Sequence, residues 1–295
     1  MRVGILGFGL IGGSVARALH ARNASDWTVV AWSPSGTGPR LAAHDRVIVR
    51  AARDAAEAVS GADLILLAAP PLDCLSLIDE LGGRLDGRLG TNAVVSDVAS
   101  TKRRIAERAK VAGLRFVGGH PMAGLDQTGY EASTPDLFVD RPWVVCATDD
   151  LDATTRVEAL ALATGARPVR IDPATHDAAV AAISHLPLLV AAALVEAVLG
   201  EEAGSVDQRR LERDLASSGW RDATRLARGD VEMGAGIVAT NADELAAGIR
   251  VIRDVLDRWL TDLERSDGPD VARVRDRLAA ARDLLVGEAP ASTPR

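Results

Sequence analysis

A six-residue run near the start of the chain, Gly7-Phe8-Gly9-Leu10-Ile11-Gly12, constrains it more than any other feature. It follows an apolar stretch, Arg2 to Leu6, that reads as a short buried strand, and it opens a helical pattern from Leu10 to Ala21. In that setting the first glycine of G-x-G-x-x-G makes the turn, the second lets backbone approach a pyrophosphate, and the third lets helix and strand pack closely. The helix N-terminal amides then face an anion. A tight structural turn is the alternative in a glycine-rich chain, but the strand before and the helix after favour dinucleotide binding, with Gly7, Gly9, Leu10, Ile11 and Gly12 lining the cofactor.

The remainder of the first half keeps to that plan. Strand patterns at Trp27–Trp32, Asp63–Ala68, Asn92–Ser96 and Arg115–Val117 alternate with helical patterns at Arg53–Val59, Leu72–Leu81 and Thr101–Ala112. Such alternation predicts right-handed crossovers and a mostly parallel sheet. Trp143–Ala147 and Arg167–Ile171 read as closing strands around a helix near Asp152–Thr164, and from His176 nearly everything is helix-like. The expected fold is therefore α/β: a Rossmann-type dinucleotide-binding domain over 1–170, an all-helical substrate and dimerisation domain over 171–287, and a flexible tail over 288–295.

With 47% hydrophobic and 25% charged residues among 295, the chain has the balance of a soluble globular protein. A net charge of −7 argues against nucleic acid as a partner, since a grip on phosphates needs a basic face. Cys74 and Cys146 show no metal-binding spacing and cannot build a disulfide framework, so a reducing cytoplasm is expected. The apolar stretch Ala178–Gly200 is long enough to span a bilayer, but His185, Pro187 and Glu196 interrupt it. A buried core helix or a homodimer interface is the expected use, with no membrane.

Cofactor choice is read at the end of the second strand, where an acidic residue would bind the ribose 2′-hydroxyl of NAD. Here Trp32 is followed by Ser33-Pro34-Ser35-Gly36-Thr37-Gly38-Pro39-Arg40, with no carboxylate. Ser33 and Arg40 suit a 2′-phosphate, which favours NADP over NAD. A polar surface loop indifferent to the choice is the other reading.

Four further segments stand out: SDVASTK at 96–102, GGHPMAG at 118–124, THDAAVAAISHLP at 175–187 and SGWRDATRLA at 218–227. With the glycine motif, and in this order, they resemble the prephenate/arogenate dehydrogenase family of tyrosine biosynthesis over roughly residues 1 to 265. The resemblance implies a small-molecule substrate, a cyclohexadienol, that is oxidised and decarboxylated to an aromatic ring. His120 is then the candidate acceptor for the substrate hydroxyl proton, a task suited to an imidazole. Ser100 either contacts the same hydroxyl or caps the next helix. Arg221 offers a planar fork to a substrate carboxylate, while Arg225, one turn on, either assists it or pairs with Asp222. His185 is a substrate-side residue or a satisfied core histidine. His176-Asp177 is expected to be a helix-start or interdomain element.

Two departures from the family pattern bear on the substrate. Many prephenate-using members read SHLPH where this chain has Leu188, and many carry an aromatic residue where this chain reads Glu232-Met233-Gly234-Ala235-Gly236. On this reading no stretch is left for an appended regulatory or mutase domain. The rival readings are a β-hydroxyacid dehydrogenase, which would place a lysine in the helical part where none occurs, and a non-catalytic NAD(P)-sensing protein, which would need no His120, Ser100 and Arg221 together.

Overall fold

The computed structural model describes residues 1–287 apart from 23, 25 and 201–203, so the predicted tail lies outside the described residues. The chain begins β1 (Arg2–Leu6), α1 (Leu10–Ala21), β2 (Thr28–Trp32), α2 (Thr37–His44), β3 (Arg50–Ala51), α3 (Ala55–Val59), β4 (Leu64–Leu67) and α4 (Pro71–Gly82). It continues β5 (Val94–Asp97), α5 (Arg103–Val111), β6 (Phe116–Pro121), β7 (Pro142–Cys146), α6 (Leu151–Ala163) and β8 (Arg167–Arg170). The strands form one sheet in the order β3-β2-β1-β4-β5-β6-β7-β8. Every pairing is parallel except β6 with β7.

Both faces of the sheet are covered, which explains why its strands read as unbroken apolar runs. Successive side chains point to opposite faces. Leu64 and Leu66 therefore join a layer with Val15, Leu19 and Trp143, while Ile65 and Leu67 join Ile78, Leu81 and Ile105. Full burial of each Leu or Ile contributes ~1.5–3 kcal/mol.

Helix α2 replaces most of the predicted polar loop after β2. Its sequence, TGPRLAAH, hides it behind two breakers that are tolerated here. Pro39 lies in the first turn, where no N–H is needed, and a Cβ at Gly38 would fall 2.6 Å from the Phe8 carbonyl oxygen.

The helical part comprises α7 (Pro173–Val180), a π turn at Ala181–His185, α8 (Leu186–Leu199), α9 (Val206–Asp214) and α10 (Ser218–Ala223). A 3-10 turn at Arg225–Arg228, α11 (Val231–Thr240), α12 (Ala242–Leu263) and α13 (Val271–Gly287) complete it. Sheet gives way to helix after Arg170, yet Met1–Leu245 form one compact unit, and the chain from Ala246, as far as described, forms a second. In the second, Asp262 is buried and takes ion pairs from Arg273 at 3.0 Å and Arg277 at 2.7 Å, with the Arg277 guanidinium over the Trp259 ring.

The apolar stretch is not a core helix. Pro173–Leu199 is long and apolar enough to cross a membrane, but only 22% of its apolar window is buried. Its leucines are half-buried and most of its alanines exposed, so within one chain the core reading fails.

Candidate active site

At the end of β1, Gly7 adopts φ +90°, and a Cβ there would sit 2.4 Å from the Ala68 carbonyl oxygen. A Cβ at Gly12 would meet Gly7 O at 2.7 Å, whereas at Gly9 nothing lies within 4 Å. The loop is thus packed tight behind and open in front. Helix α1 has Gly9 as its N-cap, with no capping side chain and no acidic residue in its first turn, so its amides face an open cradle suited to a pyrophosphate. Ser33, just beyond β2, is buried with its hydroxyl unpartnered. Arg40 is exposed and folds back on its own turn, donating to Ser35 O at 3.2 Å. These residues fit a dinucleotide.

The next two strands, β5 and β6, end in a buried charged network. Asp97 forms an ion pair with Lys102, both side chains fully buried. Its carboxylate also accepts from the backbone N–H of Ala99 and of Gly119, each at 3.1 Å. The latter bond ties the end of β5 to the residue before His120. Asp177, arriving from α7, accepts from the N–H of Lys102 at 2.7 Å and of Arg103 at 2.9 Å. It therefore caps α5 from a distant segment. Burial opposes its charge, but these bonds and one from His176 outweigh it and hold the carboxyl below its ordinary range.

That carboxylate begins a chain of hydrogen bonds. His176 Nδ1 lies 2.8 Å from Asp177 Oδ1, and His176 Nε2 lies 2.8 Å from His120 Nδ1. An ionised carboxylate only accepts, so His176 carries a proton on Nδ1, and in its neutral form it presents a lone pair on Nε2. His120 must then donate through Nδ1. Its Nε2 is left as a proton acceptor with no hydrogen-bond partner among the described residues. Burial, reinforced by Lys102, His176 and His185, holds the His120 pKa well below the ordinary histidine value. The imidazole is neutral, with its free lone pair at one defined atom.

His185 closes the π turn and is buried, with its Nε2 unpartnered. Burial pushes its pKa down to about 4, against the nearby Asp177 carboxylate. Its Nδ1 lies 3.3 Å from the amide nitrogen of Asn241, which also donates to Asp177 O at 2.9 Å. Thr101 bonds Thr240 at 2.8 Å, fixing the segment that carries Ser100 to α11. The Ser100 hydroxyl is buried and unpartnered.

A model of the prephenate dehydrogenase nucleotide-binding domain matches residues 15–169, and one of its dimerization domain matches 172–275. The chain belongs to the prephenate dehydrogenase family. It is 29% identical over 266 residues to the prephenate dehydrogenase of Bacillus subtilis, spanning 88% of this chain and 68% of that protein. Among solved structures, Synechocystis arogenate dehydrogenase is 32% identical with a TM-score of 0.76, covering 97% of this chain and 100% of that one. The A. aeolicus prephenate dehydrogenase in complex with hydroxyphenyl propionate and NAD+ shares the fold, at 22% identity and a TM-score of 0.84 over 97% of this chain and 98% of that one.

Against the readings from this family's motifs, the structure links His120 and His185 through His176, Asp177 and Asn241, and it ties the Ser100 segment to the same cluster through Thr101 and Thr240. Ser100 does not cap α5: the helix begins a step later, with Lys102 as its N-cap and Asp177 on its first amides. Arg225 neither shares a helix with Arg221 nor pairs with Asp222. Helix α10 ends at Ala223, and the 3-10 turn directs Arg225 to Asp126 at 3.2 Å, in the loop after His120. Arg221 is exposed, and its side chain makes no hydrogen bond or ion pair with the described residues. His176 and Asp177 are not the helix start, which Asp172 caps; of the two alternatives the structure fits the linking one, Asp177 tying α7 to α5 at the centre of the network. Their place in the THD motif was visible, but their contact with His120 joins positions 56 residues apart.

Proposed function

We propose that the chain oxidises and decarboxylates a cyclohexadienol, with His120 Nε2 as the proton acceptor, and that the Asp177–His176–His120 chain is the observation that carries this reading. The glycine loop, with Leu10, Ile11, Ser33 and Arg40, holds a nicotinamide dinucleotide, which when bound supplies the hydride acceptor. Ser33 and Arg40, with no carboxylate beside them, favour NADP or leave both forms usable. His120 takes the hydroxyl proton as the ring carbon gives up its hydride. The resulting dienone loses the ring carboxylate as CO2, the bonding pair enters the ring, and the phenolate oxygen recovers the proton from His120. Ser100 and His185 offer the hydroxyl and imidazole contacts around the ring. Arg221 anchors a carboxylate, with Arg225 assisting.

The proposed domain plan is a nucleotide-binding part to residue 170 and a helical substrate and dimerisation part to 287. The outward apolar face of Pro173–Leu199 supports a homodimer formed by the helical part, working in the cytoplasm. Sedimentation as a monomer at micromolar concentrations would overturn that.

The two departures in the substrate region are neighbours: a Cβ at Gly234 would lie 3.7 Å from Leu188 Cδ2. At these two positions neither Leu188 nor Gly234 offers a donor to a keto oxygen or a cation to repel an ammonium. The proposed substrates therefore include arogenate as well as prephenate. Cofactor reduction with each substrate and each of NAD and NADP tests the whole reading. No reduction with either substrate would reject the enzyme function, and a prephenate advantage above about a hundredfold in kcat/KM would reject dual use.

A further inference from the structure

We infer that Asn241 is a positioning residue that fixes His185 as a hydrogen-bond donor through Nε2, so that His185 meets an oxygen lone pair of the substrate and not an ammonium. The inference rests on the reading of this cluster as the active site. It begins with the amide orientation. The Asp177 carbonyl oxygen can only accept, so the edge of Asn241 that lies 2.9 Å from it must be the NH2 group. The same nitrogen lies 3.3 Å from His185 Nδ1. An NH2 donates, so His185 Nδ1 must carry a lone pair, and the ring proton is on Nε2.

The surroundings keep that arrangement fixed. Asn241 is fully buried at the start of α12, and Thr240 beside it is bonded to Thr101 and to Gly236 O. His185 is carried on the π turn, a helix irregularity frequent at functional sites. Its Nε2 is buried without a partner, which is costly unless a ligand accepts from it. The titratable groups facing the ring are Asp177 and His176 from α7 and His120 from β6. None of them gives His185 Nδ1 a reason to hold the proton. The site thus contains two neutral histidines of opposite tautomer: His120 with a free lone pair at Nε2, and His185 with a proton there.

The tautomer is measurable in the unaltered protein. The chain has five histidines, and nitrogen–proton correlation spectra of ring-labelled protein separate the three of the cluster from exposed His20 and His44. A protonated Nε2 and bare Nδ1 on His185 at neutral pH are expected; the reverse tautomer overturns the inference. Kinetics give the second arm. Asn241→Asp presents an acceptor to Nδ1, so the substrate KM should rise about tenfold at pH 8, with kcat held. In a His185→Ala background the Asn241→Asp effect on KM should vanish. If the effect persists there, Asn241 acts on stability and not through His185. If His185 shows the expected tautomer but His185→Ala alone leaves KM unchanged, the placement of substrate against His185 fails, and the donor role with it.

Discussion

Around the ends of β5 and β6, Asp97, Lys102, Asp177 and His176 are each held by a buried partner, whereas on α10 Arg221 stands exposed with no ion pair among the described residues. The first region is assembled before any substrate arrives. Its acceptor atom, tautomer and charge are set by buried neighbours in a low-dielectric setting, where each bond is stronger and each unpaired group costs more. The second leaves a flexible cation in water, able to move to an anion. Proton transfer needs an atom fixed to a fraction of an ångström, while anchoring a carboxylate tolerates adjustment followed by closure.

Substitutions should separate the two regions. The largest effect belongs to the buried one: His120→Asn should lower kcat by roughly two to four orders of magnitude while dinucleotide affinity, measured by titration, stays constant. Unchanged turnover would mean that the relay is structural only. Arg221→Ala should raise KM by about ten- to a hundredfold, the worth of a charge-assisted contact, with kcat nearly kept; a fall in kcat alone would make the exposed arginine part of the chemistry and break the contrast. Arg225→Ala, which removes an exposed pair with Asp126, should change KM by roughly threefold at most.

The smallest expected effect is an absence of change. A base is lost as pH falls through its folded-state pKa, and burial sets that of His120 well below the ordinary 6.5. The kcat/KM profile should therefore stay level through pH 6.5 and decline only at lower pH. Stability follows the same sign for His185. Its folded pKa of about 4 lies under its unfolded value of 6.5, so the unfolded chain binds the proton first, and stability should drain away between those two values as the solution is acidified. A decline in kcat/KM centred on pH 6.5 would show His120 to be solvated like Arg221.

The exposed and buried regions also differ in how far they could be read from the chain. The parallel sheet and the glycine cradle were legible because local periodicity and a fixed spacing specify them. The motif singles out Arg221, whose proposed role needs no tertiary partner. The tertiary hydrogen bonds were not: Asp177 caps a helix 74 residues away, and Asn241 reaches His185 across 56. No local pattern encodes such pairings. Helix α11 is only weakly marked in the sequence, for a different reason. Its Gly234 and Gly236 lower helix propensity, yet a Cβ at Gly236 would lie 3.0 Å from Pro71, so the second glycine is what lets α11 pack on α4. The π turn carries no mark at all, since Ala181–His185 keeps ordinary helical spacing in sequence.

The reach of Asp177 into α5 has a consequence for modularity. Helix α5 carries a partial positive charge at its first turn, from the sum of its peptide dipoles, and a carboxylate there is stabilising by about 0.3–1 kcal/mol at exposed sites and up to about 2 where partly buried. The nucleotide-binding part supplies no such anion from its own residues at Lys102 and Arg103; it borrows one from the segment matched as the dimerization domain. A fragment ending at residue 170 would keep all eight strands and lose that anion, leaving two amide donors bare and the His120 ring without its orienting partner. The line between the two halves therefore divides sequence, but it does not divide the folding unit or the catalytic one.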